Sequence, residues 1–110
     1  MIARVWSAEC TDALAPAYEE HLRSKVLPAI QKLEGYAGAV LLERPLADGV
    51  EIVVTTFWQG VDAIRAFAGP ELENAVVADD AAVLLTKFDL RVRHYEVVLQ
   101  DDWRSPMARS

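Results

Sequence analysis

Residues 51–58 read EIVVTTFW, with Ile52, Val53 and Val54 apolar on consecutive positions. Successive side chains of a strand point to opposite faces, so a strand that is apolar at every position needs cover on both. This segment demands an interior place in a sheet. Three other segments have strand character. Ile2 to Glu9 (IARVWSAE) mixes alternation with β-favouring residues. YAGAVLLERP, 36–45, is joined to the EIVVTTFW strand through LADG, 46–49, whose Asp-Gly pair is a hairpin signal. LRVRHYEVVL, 90–99, is the last and most charged strand.

Between these segments the period changes. Leu14, Tyr18, Leu22, Val26, Ile30 and Leu33 recur at helical spacing and form one apolar stripe. Thr11 or Asp12 is the expected N-cap, Pro16 falls in the first turns, Pro28 should kink the helix, and Gly35 is placed as its C-terminal cap. GVDAIRAFAG gives a second helix through Val61, Ile64 and Phe67, ended by Gly69 and Pro70. PELENAVV and DDAAVLLTKF read as two further short helices, the second with Ala81, Leu84, Leu85 and Phe88 at helical spacing.

The order strand, helix, strand, strand, helix, strand predicts an α+β fold: a ferredoxin-like split βαβ antiparallel sheet. Right-handed crossovers put the first and third strands in the centre and the second and fourth at the edges. The charges of Arg91, Arg93, His94 and Glu96 fit an edge strand, where they guard against uncontrolled pairing. Helices cover one face only, yet the strands carry apolar residues on both. A second copy packed sheet to sheet, a homodimer, is the simplest cover.

The chain has 110 residues and a formal charge of −6. The expected division is one domain over 1–100 and a polar tail over 101–110, with Trp103 as its candidate anchor. The acidic balance argues against nucleic acid and anionic membrane as partners. Cys10 is the lone cysteine, which excludes an intrachain disulfide and suits a reducing cytoplasm. No signal peptide is visible, and the longest apolar runs are too short to span a bilayer.

Several local motifs carry a resemblance: Gly-Tyr-x-Gly at 35–38, TFW at 56–58, IRAFAG at 64–69 and HYEV at 94–97. With them, residues 2–99 resemble the antibiotic biosynthesis monooxygenase (ABM) group of the dimeric α+β barrel superfamily. The resemblance implies a dimeric α+β barrel and an oxidation of a small aromatic or polyketide-like molecule without metal, flavin or other cofactor. Related barrels degrade haem, isomerise lactones or cyclise polyketides, so an isomerase or cyclase is an alternative reading. A non-catalytic small-ligand or stress-response barrel is another. The haem-degrading branch uses a pocket asparagine; here the single asparagine is Asn74, and none lies in the first strand, which argues against haem degradation.

Cofactor-free oxygenation needs a base, a cationic partner for the substrate anion, and a dry aromatic cavity. The residue types are present. His94 and His21 are the candidate bases and Arg4 the anion partner. Trp58, Tyr18, Trp6, Tyr36 and Phe67 are the candidate substrate-binding walls. Each also has a plain reading. Aromatics at such positions are core residues by default, and Trp58 is placed to plug the sheet–helix junction. His21 lies at the flank of the apolar stripe, where it faces either a cleft or water. His94 shares a strand face with Glu96, which either tunes it as a base or makes a polar pair at the dimer contact. Two histidines so far apart lack metal-ligand spacing, and no metal is expected. Cys10 has only a helix N-terminus in favour of a reactive thiol.

Overall fold

The EIVVTTFW segment lies within β3 (Gly49–Trp58), an interior strand with neighbours on both edges. The computed structural model describes residues 1–101 and 103. β1 (Ile2–Cys10) pairs antiparallel with β3 along its whole length, from Ile2 opposite Trp58 to Cys10 opposite Val50. β2 (Tyr36–Leu46) returns through a tight hairpin at Leu46 and Gly49, with one irregularity between Tyr36 and Gly38. The sheet order is β2-β3-β1-β4, with β5 also on β1. The first and third strands are therefore central, as the crossover argument requires, and the fold is the expected α+β antiparallel sheet with helices.

The last strand is not continuous. It is split into β4 (Lys87–Phe88) and β5 (Arg93–Glu96), both paired with β1. The residues between turn to a different partner. Ala75 N–H donates to Leu90 O at 2.9 Å, Val92 N–H donates to Glu73 O at 2.7 Å, and Asn74 bridges Arg91. The same bonds explain why PELENAVV is not a helix: its backbone is committed to the 90–92 segment and not to itself. DDAAVLLTKF keeps a single helical turn, α4 (Asp79–Ala82), before Phe88 enters the sheet.

The long helix also differs from its pattern. Thr11 sits ahead of the helix: its carbonyl accepts from Leu14 N and Ala15 N, and its hydroxyl also accepts from Leu14 N. α1 (Ala15–His21) then passes into a π-helical turn, Leu22–Val26, and continues as α2 (Leu27–Ile30). Pro28 has no N–H for the carbonyl of Ser24 and its ring crowds that carbonyl, so the regular ladder cannot run through it. Leu27 N–H instead reaches back five residues to Leu22 O. The expected kink is a π turn. The helix stops at Ile30, so Gly35 is not its cap. Gly35 serves the following loop, where φ is +87° and its carbonyl accepts from Gln59 N.

These helices and α3 (Val61–Ala68) cover one face of the sheet. On β3, Ile52, Val54, Thr56 and Trp58 are buried while Val53, Thr55 and Phe57 are half-buried. Two apolar clusters fill the covered side, one around Tyr18, Leu22, Ile52 and Val54, the other around Ile30, Trp58 and Ile64. Full burial of side chains such as Ile52 contributes about 1.5–3 kcal/mol each. By register the open face carries Val5, Val40, Leu42, Val53, Phe57 and Tyr95. Leu42 is 54% exposed and Tyr95 52%. Of the tail expected over 101–110, only Asp101 and Trp103 lie within the described residues; Trp103 is 86% exposed and anchors nothing.

Gly49 fixes the hairpin against the end of β1. Its φ is +146°, and a Cβ there would stand 2.3 Å from the carbonyl oxygen of Cys10. Gly49→Ala is expected to destabilise the chain by about 1–3 kcal/mol, read as a lowered urea midpoint with an unchanged slope; an unchanged midpoint would contradict this role.

Candidate functional site

A cavity of about 240 Å³ lies between the covered face of the sheet and the helices. Its floor is Arg4 and Trp6 of β1 with Val54 and Thr56 of β3, which face each other in register, and Val92. One wall is the long helix, through Tyr18, His21, Leu22, Val26 and Ile30. A spacing of four residues drifts about 40° per step around a helix of 3.6 residues per turn. The wider π turn takes up that drift, so Tyr18, Leu22, Val26 and Ile30 all stay on the cavity. The segment 76–78, with Phe67 and Ala81, closes the remaining side.

Arg4 is the charged group of the floor, only 4% exposed. It donates from Nη1 to Leu72 O at 2.5 Å and from Nη2 to Asn74 O at 2.7 Å. Its Nη1 also lies 3.0 Å from His94 Nε2. The guanidinium carbon stands 5.5 Å from the Phe67 ring centroid. Burial pushes the Arg4 pKa down from its ordinary value, the direction expected for a cation taken out of water. Arginine nonetheless stays charged in proteins.

His94 lies opposite Arg4 in the β1–β5 register, so it occupies the face under the helices. Arginine has only donors, so His94 Nε2 is the acceptor and its ring proton is on Nδ1. Burial, then the Arg4 cation, lowers its pKa; Glu73 opposes them more weakly. Burial and the Arg4 cation both disfavour the imidazolium, and the partner expected for it, Glu96, plays no part in that. His94 sits beside the cavity and outside its lining.

His21 lines the cavity with its side chain 9% exposed. Its Nδ1 is 3.9 Å from Asp80 Oδ2, which also receives Lys25 Nζ at 3.3 Å. Its Nε2 is buried and has no hydrogen-bond partner among the described residues. Tyr18 is the neighbouring ring, 6.2 Å away centroid to centroid, and burial with the nearby Cys10 pushes its phenol up to about 12. Tyr18 is therefore a neutral wall at ordinary pH.

Of the aromatics singled out in the sequence, Trp6, Tyr18 and Phe67 line the cavity. Trp58 and Tyr36 do not. Trp58 is fully buried behind the lining, stacked on Phe67 at 5.5 Å, with Nε1 donating to Thr56 Oγ1 at 2.8 Å. Tyr36 meets its edge at 5.5 Å. Trp58 thus fills the junction between sheet and helix. Sequence reasoning missed Val54 and Thr56, although the β1–β3 alternation points to them. It also missed Asp80 and the 76–78 segment, for which the sequence carries no periodic signal. The thiol of Cys10 is buried and its pKa is pushed up by that burial and by Glu43 and Asp12, so it is inert.

No protein-family model matches the chain, and no curated protein does. Solved structures match over nearly its whole length. A Bacillus cereus protein described as an antibiotic biosynthesis monooxygenase superposes with a TM-score of 0.66 at 16% identity, covering 96% of this chain and 98% of that one. The haem-degrader MhuD of Mycobacterium tuberculosis, with two haems bound in its active site, gives 0.60 at 21% identity over 93% and 100%. A monooxygenase from the gene ActVA-Orf6 of Streptomyces coelicolor, in complex with nanaomycin D, gives 0.56 at 16% identity over 94% and 92%. The fold is that of antibiotic biosynthesis monooxygenase domain proteins.

The state of His94 has a consequence for stability. Its folded pKa is below its unfolded value, so the native state disfavours the imidazolium. The stability tied to the neutral ring is complete above about pH 6.5, the unfolded value, and is lost as pH falls through the folded one. Denaturant midpoints measured across this range should fall for the wild type and fall less for His94→Gln; parallel curves would refute the contact's role.

Proposed function

We infer that this chain resembles the cofactor-independent monooxygenases in activity and oxidises a small aromatic or polyketide-like molecule. The observation that carries this reading is a buried imidazole nitrogen without a partner among the described residues, His21 Nε2, on a side chain that lines an apolar aromatic cavity together with the cation Arg4. The haem and nanaomycin D complexes of the structural neighbours support a small-molecule site in this fold.

His21 takes the role of base. His94 is the weaker choice because its Nε2 already accepts from Arg4. His21 Nε2 removes the proton of an acidic phenol or enol, and the resulting anion is stabilised by Arg4. The electron-rich ring carbon then gives electrons to dioxygen and forms a hydroperoxide on that carbon. Loss of water leaves a carbonyl: one oxygen atom enters the product, the other leaves as water, and the ring is oxidised to a quinone. Trp6, Tyr18 and Phe67 supply a flat apolar enclosure that keeps water from the anion. His94 positions Arg4.

The test is oxygen uptake with hydroxylated naphthalene or anthrone compounds and no added cofactor. Uptake is expected, with His21→Ala reducing its rate by about 10²-fold or more and His94→Ala by less. Binding without uptake would favour a non-catalytic ligand barrel, and anaerobic turnover an isomerase or cyclase; either would sink the oxygenase reading.

The second part of the reading is a homodimer packed through the open sheet face, giving the dimeric α+β barrel. Val40, Leu42, Val53, Phe57 and Tyr95 on one face support it, since monomers rarely leave such a patch uncovered. A reducing cytoplasm suits the free thiol of Cys10. Light scattering should give twice the chain mass for the wild type and a monomer for Leu42→Glu combined with Val53→Glu; a monomeric wild type would overturn the assembly.

A further inference from the structure

Two polar groups of the cavity, Arg4 and His21, are unlike each other, and the difference says what a ligand must carry. Three of the five guanidinium N–H donors of Arg4 are engaged, and every acceptor is neutral: two backbone carbonyls and the His94 ring. No carboxylate of the described residues pairs with it. Phe67 offers a ring quadrupole at 5.5 Å, which offsets only part of the charge. A buried cation without a counterion costs several kcal/mol of lost hydration. Backbone carbonyls satisfy hydrogen bonds but leave that charge unmatched.

The other group is His21. The Asp80 carboxylate on its Nδ1 side favours a proton there. The lone pair of Nε2 is then buried and without a donor among the described residues, on a side chain that lines the cavity. This nitrogen needs an O–H or N–H, not an anion. Lys25 on the far side of Asp80 and the neutral Tyr18 ring are the other groups about His21.

The two ends are separated by aromatic wall. Arg4 and Trp6 are successive residues on one face of β1, roughly 7 Å apart along the strand. The Trp6 and Tyr18 centroids are 6.1 Å apart, and those of Tyr18 and His21 6.2 Å. A ligand meeting both ends lies flat along Trp6 and Tyr18 with a polar group at each end. The cavity, at about 240 Å³, falls below the 300–1,000 Å³ of sites that take drug-sized molecules.

We propose that the ligand is a one- or two-ring aromatic with a carboxylate or equivalent fixed anion for Arg4 and a separate hydroxyl for His21. This rests on the reading of the cavity as a small aromatic site and deepens it: the hydroxyl is the acid that His21 deprotonates, and the carboxylate fixes the register of the ring.

Calorimetric titration of the intact protein with hydroxynaphthoate, naphthoate, naphthol and a three-ring hydroxy acid tests it. Hydroxynaphthoate is expected to bind at least about tenfold tighter than each of the others, the scale of losing one charged or hydrogen-bonded contact. Arg4→Gln should erase the preference over naphthol, and His21→Phe the preference over naphthoate, each leaving the other intact. If Arg4→Gln does not fold, the wild-type series decides alone. Naphthol binding as tightly as hydroxynaphthoate, or none of the compounds binding, would overturn the proposal. Oxygen uptake followed on the same compounds separates the two ideas. The preference without uptake sinks the oxygenase reading alone, and uptake from naphthol without the preference sinks this one alone.

Discussion

One buried guanidinium ties a central strand to a segment that is not paired with it in the sheet. Arg4 projects from a central strand, and its bonds run to Leu72 O, Asn74 O and His94 Nε2. The first two belong to the segment that leads over the cavity, the third to β5. Each would otherwise be a polar group at the edge of an apolar space, where an unmade hydrogen bond costs about 1–3 kcal/mol. The same side chain is the charged element of the cavity floor. Structure and candidate chemistry thus draw on one residue, which is why the cavity has a polar end.

The cavity depends equally on two departures from regularity. The π turn at Leu22–Val26 keeps residues four apart on one wall, where a straight α-helix would carry them away. The split of the last strand frees residues 90–92 to hold the 73–75 segment, so that 76–78 cross above the sheet. Asp89 stays with β1: its N–H donates to Ser7 O, and its carbonyl accepts from Trp6 Nε1 at 2.8 Å. Trp6 is thereby fixed as a wall without burying an unpaired indole N–H.

The two faces of the sheet have been put to different use. The covered face carries Arg4, Trp6 and Thr56 in the cavity lining and His94 beside it. The open face carries an apolar patch of Val40, Leu42, Val53 and Phe57, with Ser7, Thr55 and Arg93 on the same side. Strand alternation separates these roles by a single residue step, so β3 serves both without conflict. The reading of the cavity as a site for a small aromatic and the reading of the open face as an assembly surface therefore rest on different side chains.

The sequence by itself determined the sheet apart from the split of its last strand. Period-two and consecutive apolar patterns located the strands, the Asp-Gly pair located the hairpin, and handedness gave the strand order, because these are local or chiral constraints that hold whatever surrounds them. It also singled out Arg4, Trp6, Tyr18, His21 and Phe67 by residue type. Only the tertiary structure decided what they do. It left the Nε2 of His21 without a partner among the described residues and gave that of His94 to Arg4, and it placed Trp58 and Tyr36 behind the wall. Asp80 entered the site from a single helical turn with no pattern to announce it. Strand positions follow from neighbours in the chain; the hydrogen bonds of a buried side chain follow from residues about 70 or 90 positions away, which no local period encodes.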